Sequence, residues 1–124
     1  MNIKIDASVH ASSQAKDRRP EFSKSDWIDL HKKTCAKIDE DGLYDDGWKL
    51  FYSKSMQQGY ICMMKYIAGK DLLNIKVVTV LPKGKNNPQG GNNGGQTELE
   101  LMEMEINIDE IEILLGKINL VIKN

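Results

Sequence analysis

The sequence contains few cysteines, prolines and aromatic residues. It has two cysteines, three prolines and 6% aromatic residues among 124 positions. Two cysteines are too few for a disulfide framework, and Cys35 and Cys62 each lie in an apolar segment with regular periodicity. We therefore expect both thiols to be reduced and buried in the core.

Long apolar runs are also missing. The first ten residues lack the apolar region of a secretion signal, and no stretch approaches the roughly 18 apolar residues that a membrane span needs. These absences predict a cytoplasmic protein without a membrane partner. The length of 124 residues predicts one domain, residues 1–124, that folds without a metal or cofactor.

The motifs of common enzyme classes are absent. There is no P-loop, no dinucleotide-binding glycine pattern, no zinc-protease motif and no nucleophile elbow. His10 and His31 are too far apart in sequence for a local metal-binding pair, and neither cysteine is near them. We expect no metal site, and we interpret His31 as a partly buried helix residue.

The charges nearly cancel, but they are unevenly distributed. The formal net charge is -1, yet segment 49–85 has seven lysines against the single acid Asp71, and segment 98–112 has seven acids and no base. The basic segment favours RNA or a small anionic ligand as a partner. The acidic segment favours a protein partner, although the two segments could instead pair across a sheet.

Residues 2–6 alternate between polar and apolar side chains, which is typical of a short strand or an extended arm. Helix signals follow this segment. Ser8 is the expected N-cap of a first helix that ends near Arg18. A second helix is predicted over residues 24–37, and the acidic stretch 39–42 is expected to end it.

Strand signals dominate from Gly47 onward, where the apolar period changes from about 3.6 residues to about 2. Segment 83–96 is rich in glycine and asparagine and is predicted to be a flexible loop. Before this loop, three strands are predicted to form a meander: 48–53, 60–67 and 72–81. After it, an acidic fourth strand with a bulge is predicted over 97–109.

The C-terminal segment 111–123 fits a helix or a hairpin, and its apolar character makes it a candidate homo-oligomer contact. Together these patterns predict an α+β fold. Two short N-terminal helices pack on a four-stranded, mostly antiparallel sheet, with a C-terminal hairpin or helix.

One short pattern resembles a known family. Residues 8–11 read Ser-Val-His-Ala, Arg18 follows eight positions after the histidine, Phe22 and Ser23 precede a helix, and a strand ends with residues 79–82, Thr-Val-Leu-Pro. Over about residues 3–85 this pattern resembles small bacterial and phage domains related in fold to RelE, barnase and colicin-type ribonucleases.

The resemblance implies metal-independent cleavage of RNA. It places Ser8, His10 and Arg18 at the catalytic positions, while Gln14 lies where a second arginine would complete the pattern. An imidazole can move the 2′-hydroxyl proton, and a guanidinium can hold the scissile phosphate. Further candidates for contacts with a substrate or ligand are Arg19, Tyr52, Thr79, Lys83 and Lys85.

Two other functions remain open. A protein-binding inhibitor or antitoxin-like module would use the acidic segment 97–112 as its contact. An oligomeric protein that sequesters a small anionic ligand would place aromatic and cationic residues at a subunit seam. Candidates for that seam are Trp48, Tyr52, Tyr60 and Arg18.

Overall fold

Two helices and the strands of one mixed sheet form the described part of the chain. The computed structural model describes residues 2–85, 106–107 and 119–123. The α+β class is confirmed. In chain order, the elements are β1 Asn2–Ala7, α1 Val9–Arg18, α2 Lys24–Asp41, β2 Gly47–Ser53, β3 Gln58–Ile67, a 3-10 turn Ala68–Lys70, β4 Leu72–Val80, β5 Ile106–Asn107 and β6 Asn119–Lys123.

Both helices begin at the predicted serines. The Ser8 hydroxyl accepts a hydrogen bond from the Ala11 amide at 3.0 Å. Ser23 and Asp26 form a reciprocal capping box, in which each side chain accepts from the other residue's amide. Such caps satisfy amides that have no partner inside the helix, so the local sequence is enough to set both starts.

The end of α2 was predicted wrongly. The helix continues through the acidic residues to Asp41 instead of ending at Lys37. The Lys37 ammonium and the Asp41 carboxylate form an ion pair at 3.1 Å. Gly42 ends the helix because it adopts a left-handed conformation with a φ of 65°. Carboxylates disfavour a helix C-terminus only weakly, whereas a left-handed glycine terminates the hydrogen-bond ladder.

The sheet has the strand order β5-β2-β3-β4-β1-β6. The meander β2-β3-β4 pairs antiparallel, as predicted. However, β1 pairs parallel with both β4 and β6, and β2 pairs parallel with β5. Over the described residues the sheet is therefore mixed and has six strands, whereas a four-stranded, mostly antiparallel sheet was predicted. The two helices lie between β1 and the meander in sequence. A connection of this length can return the chain in the same direction, which permits parallel pairing.

The predicted C-terminal elements lie mostly outside the described residues. Of the predicted strand 97–109, the structure describes Ile106–Asn107 as β5. Of segment 111–123, it describes Asn119–Lys123 as β6 beside β1. The choice between hairpin and helix and most of the predicted loop 83–96 fall on residues that are not described. No helix in the described ranges is long and apolar enough to cross a membrane.

The main core lies between the helices and one face of the sheet. Cys35 and Cys62 are buried free thiols in this core, which confirms their predicted role. Burial raises the pKa of the Cys35 thiol to about 12, so it stays protonated. The fully or nearly fully buried members are Ile3, Ile5, Ala11, Leu30, Cys35, Ile38, Phe51, Tyr60, Cys62, Met64, Leu73, Ile75, Val77 and Val80.

Helix α1 is docked on the end of β4. The register of β1 with β4 ends at Val77, whose carbonyl accepts from the Ser8 amide at 2.9 Å. Three residues further along β4, the Val80 amide donates to Gln14 Oε1 at 2.9 Å, and the Val80 carbonyl accepts from the Arg18 guanidinium. Side chains of α1 thus replace the neighbouring strand where β1 has ended.

A second connection joins the end of α1 to the turn between β2 and β3. Arg19 is only 4% exposed, and its Nη1 donates to the carbonyls of Met56 at 3.1 Å and Gln57 at 2.9 Å. The same atom donates to Gln58 Oε1 at 3.0 Å. The guanidinium carbon also lies 3.9 Å from the centre of the Phe22 ring. We call these contacts the Arg19 clamp.

Replacing Arg19 by methionine should destabilise the protein strongly. The substitution keeps an apolar stem but leaves the Met56 carbonyl and the buried Gln58 oxygen without a donor, while the Gln57 carbonyl keeps only its bond from the Gly84 amide. We therefore expect a loss of about 2–4 kcal/mol in the free energy of unfolding. The neighbouring Arg18→Met removes one bond from an exposed side chain and should cost about 1 kcal/mol. Urea unfolding measures both values, and equal losses would contradict the importance of the clamp.

Candidate ligand-binding cleft

A cleft of about 560 Å³ opens between α1 and α2, above the sheet. This volume lies within the range of small-molecule sites, about 300–1,000 Å³. Its lining is mostly apolar, and the polar groups are few. The lining residues are Ala7, Ala11, Ser12, Ala15, Lys16, Arg19, Pro20, Phe22, Lys24, Trp27, His31, Tyr60, Val77 and Val80.

The cleft exists because one helix presents small side chains where the other presents large ones. Ala11 and Ala15 are four residues apart and therefore share one face of α1. Phe22 precedes α2 and Trp27 lies in its first turns, and their rings meet edge to face with centroids 4.9 Å apart. Methyl groups on one wall and aromatic rings on the other leave room for a flat apolar molecule.

The charged groups of the lining are all cationic. Lys16 on α1 and Lys24 at the start of α2 are both exposed, on opposite helices. Arg19 lies deeper, where its Nε and Nη1 atoms are engaged in the Arg19 clamp and an ion pair with Glu21 at 3.2 Å. None of the described lining residues is acidic. The potential at the cleft mouth therefore favours an anionic group.

The floor of the cleft carries a buried chain of hydrogen bonds. His31 is 5% exposed, and its Nδ1 atom lies 3.1 Å from the Tyr60 hydroxyl. That hydroxyl lies 2.6 Å from Thr34 Oγ1, which donates to the Leu30 carbonyl at 2.8 Å. The His31 and Tyr60 rings stack at 5.5 Å with an interplanar angle of 19°.

Burial keeps both rings of this floor neutral. Desolvation lowers the pKa of His31 from 6.5 to about 4. Desolvation likewise raises the pKa of the Tyr60 hydroxyl well above its usual value of 10, and the nearby buried thiol of Cys62 adds to that increase. The floor therefore offers uncharged polar atoms at neutral pH, in contrast to the cationic mouth.

The three predicted catalytic residues are not among the described lining residues of the cleft. The Ser8 hydroxyl caps α1, and His10 is exposed in the first turn of that helix. Arg18 lies at the other end and bonds Val80. A rise of about 1.5 Å per residue separates the backbones of His10 and Arg18 by about 12 Å along the helix axis.

The predicted contact residues are divided between several surfaces. Arg19 lines the cleft. Tyr52 is buried and follows Phe51 of the main core, so its side chain points to the opposite face of the sheet. Thr79 is opposite Ile61, which belongs to a smaller apolar cluster with Leu50 and Leu81 on that same face. The exposed residues Lys83 and Lys85 follow the end of β4.

Sequence reasoning missed His31 and Trp27 as site residues, and it named Tyr60 only as a candidate for a subunit seam. His31 was correctly placed in a helix, but its role depends on Tyr60, 29 residues further along the chain. A usable signal was present: His31 and Thr34 are polar residues within the apolar stripe of α2, and both bond the same hydroxyl. Buried polar groups in such a stripe need partners from another element.

No metal-binding cluster of three or more histidine, cysteine or acidic side chains occurs within residues 2–85 and the two short strands. Neither a protein-family model, nor a curated protein, nor a solved structure matches the chain. The geometry of the cleft is therefore the basis for inferring function.

The pKa of His31 predicts an acid-sensitive fold. The unfolded chain takes up a proton near pH 6.5 and the folded chain only near pH 4, so stability is complete above pH 6.5 and falls between these values. The expected loss from this residue is about 3 kcal/mol.

Urea unfolding between pH 7.5 and pH 4 measures this loss, and His31→Asn should make the curve flatter in that window. His10→Asn, at an exposed position of α1, is the matched control for the loss of a histidine. Identical pH dependence of the parent and His31→Asn would contradict the assignment.

Proposed function

We propose that the protein binds a small molecule with a flat apolar body and an anionic group in the cleft between α1 and α2. The observation that carries this proposal is one cavity with an alanine and aromatic wall and a cationic mouth. Of the functions that the sequence left open, this one corresponds to the sequestering of a small anionic ligand.

The apolar walls supply the affinity in this proposal. A flat aromatic ligand that buries about 200 Å² of apolar surface gains about 5 kcal/mol. An exposed lysine adds at most about 1 kcal/mol, and association itself costs free energy. Net of the association cost, ligands of this size gain about 0.4 kcal/mol per non-hydrogen atom, so we expect a Kd of about 0.1 mM for an aromatic carboxylate of about 13 such atoms.

The two lysines supply the preference for an anion. Lys16 and Lys24 belong to different helices and border the same cavity, so each helix contributes a cation to its lining. Within the described residues neither lysine forms an ion pair. Their charge is therefore available to a ligand, and binding should weaken as salt increases.

The floor supports binding rather than catalysis. A general acid or base works best with a pKa near the operating pH, and burial places the pKa of His31 at about 4. Tyr60 is likewise held in its neutral form because burial raises its pKa. His31, which lines the cavity, can orient a ligand by hydrogen bonding.

The ribonuclease hypothesis remains a prediction for a different surface. It depends on His10 and Arg18, which lie on α1 outside the described lining of the cleft. The two hypotheses are therefore separable by substitution. His10→Ala should leave ligand binding in the cleft unchanged, while loss of RNA cleavage in that variant would support the ribonuclease.

Titration calorimetry with 2-naphthoate tests the proposed function. The parent should bind with a Kd of about 0.1 mM. Ala15→Phe fills the cleft and should weaken binding at least tenfold, and the double substitution Lys16→Glu with Lys24→Glu should weaken it about tenfold.

Ser13→Phe is the matched control, because Ser13 lies on the same helix but is exposed and outside the described lining. It should bind like the parent. Circular dichroism and thermal unfolding confirm that each variant is folded. No binding by the parent at millimolar 2-naphthoate, or unchanged binding by Ala15→Phe, would refute the proposal.

A further inference from the structure

The hydrogen-bond chain at the cleft floor has one proton order that satisfies all its contacts. The Leu30 carbonyl can only accept, so the single proton of the Thr34 hydroxyl points to it at 2.8 Å. The 2.6 Å contact between Thr34 and Tyr60 must then use the Tyr60 proton. The Tyr60 oxygen is left to accept, and its remaining neighbour is His31 Nδ1 at 3.1 Å. His31 Nδ1 therefore carries a proton.

The second nitrogen of His31 must then be without a proton. A neutral imidazole carries one N–H, and burial keeps the pKa of His31 near 4, so the ring is neutral at pH 7. With the proton on Nδ1, the Nε2 atom presents a lone pair. The stacking of the ring on Tyr60 fixes the plane in which this lone pair lies.

The Nε2 lone pair is available to a molecule in the cleft. His31 lines the cavity although the residue is only 5% exposed, and Nδ1 is already used by Tyr60. No hydrogen bond to Nε2 occurs among the described residues. A buried acceptor without a partner is costly, so the site favours an occupant that donates to it.

We infer that His31 Nε2 is a specificity-determining hydrogen-bond acceptor, and that the ligand carries an N–H or O–H donor on its inner end, opposite to its anionic group. This inference rests on the proposed function. The ligand class becomes a flat heteroaromatic or phenolic acid, with the donor at the His31 floor, the ring between the alanines and Trp27, and the anion at Lys16 and Lys24.

The proton order can be measured in the free protein. Nitrogen-15 NMR of the imidazole distinguishes a protonated from an unprotonated ring nitrogen, and we expect the Nδ1–H form for His31 at pH 7. Tyr60→Phe removes the acceptor of that proton while retaining the ring, so the Nε2–H form should increase in this variant. An Nε2–H tautomer in the parent would overturn the inference without any ligand.

The expectation that the ligand donates a hydrogen bond to His31 Nε2 is tested with indole-3-acetate and benzofuran-3-acetate. The two molecules have nearly the same shape and charge, and they differ by an N–H donor against a ring oxygen. Calorimetry should show the indole binding about tenfold more tightly to the parent, because the benzofuran leaves Nε2 without a donor. In Tyr60→Phe this preference should fall towards equal binding, while unfolding curves check that the variant is folded.

The outcomes separate this inference from the function on which it rests. Equal binding of both acids by the parent would refute the acceptor role and leave the cleft as a binding site. Binding of neither acid at millimolar concentration would refute the proposed function and with it the assigned ligand class. Preference for the indole that survives in Tyr60→Phe would show that the hydrogen-bond chain does not set the specificity.

Discussion

The buried guanidinium of Arg19 is the constraint on which the cleft depends. A charge that is 4% exposed must be compensated by hydrogen bonds, and its acceptors are the carbonyls of Met56 and Gln57 and the side chain of Gln58. These acceptors belong to the β2-β3 turn and the start of β3. The clamp therefore fixes the C-terminal end of α1 relative to the sheet, while Gln14 bonds the same helix to the end of β4.

A helix held at these points leaves a preformed hollow beside α2. Small side chains at Ala11 and Ala15 keep the wall open, and the aromatic pair Phe22 and Trp27 forms the opposite wall. Burial makes the His31 floor neutral, whereas exposure leaves the mouth cationic. A ligand with an apolar middle, a donor at one end and an anion at the other complements all three zones.

The features that could be predicted from the sequence are those with local causes. Ser8 and Ser23 cap helices by bonding residues three positions away. The strands of the meander are joined by short turns, so each pairs with the next one in sequence. The parallel pairing of β1 with β4 has no local signal, because the partners are about seventy residues apart. The cleft is equally non-local, since its floor joins His31 to Tyr60 and its position depends on the contact of Arg19 with Gln58.

The most direct test of the cleft is a map of amide chemical-shift changes in the protein as indole-3-acetate is added. If the cleft binds the ligand, the largest changes should surround the cavity, at Ala11, Ala15, Trp27, His31 and Val80. Residues on the opposite face of the sheet, such as Tyr52 and Thr79, should remain nearly unchanged. Saturable changes centred on that opposite face, with the cavity residues unaffected, would contradict the account.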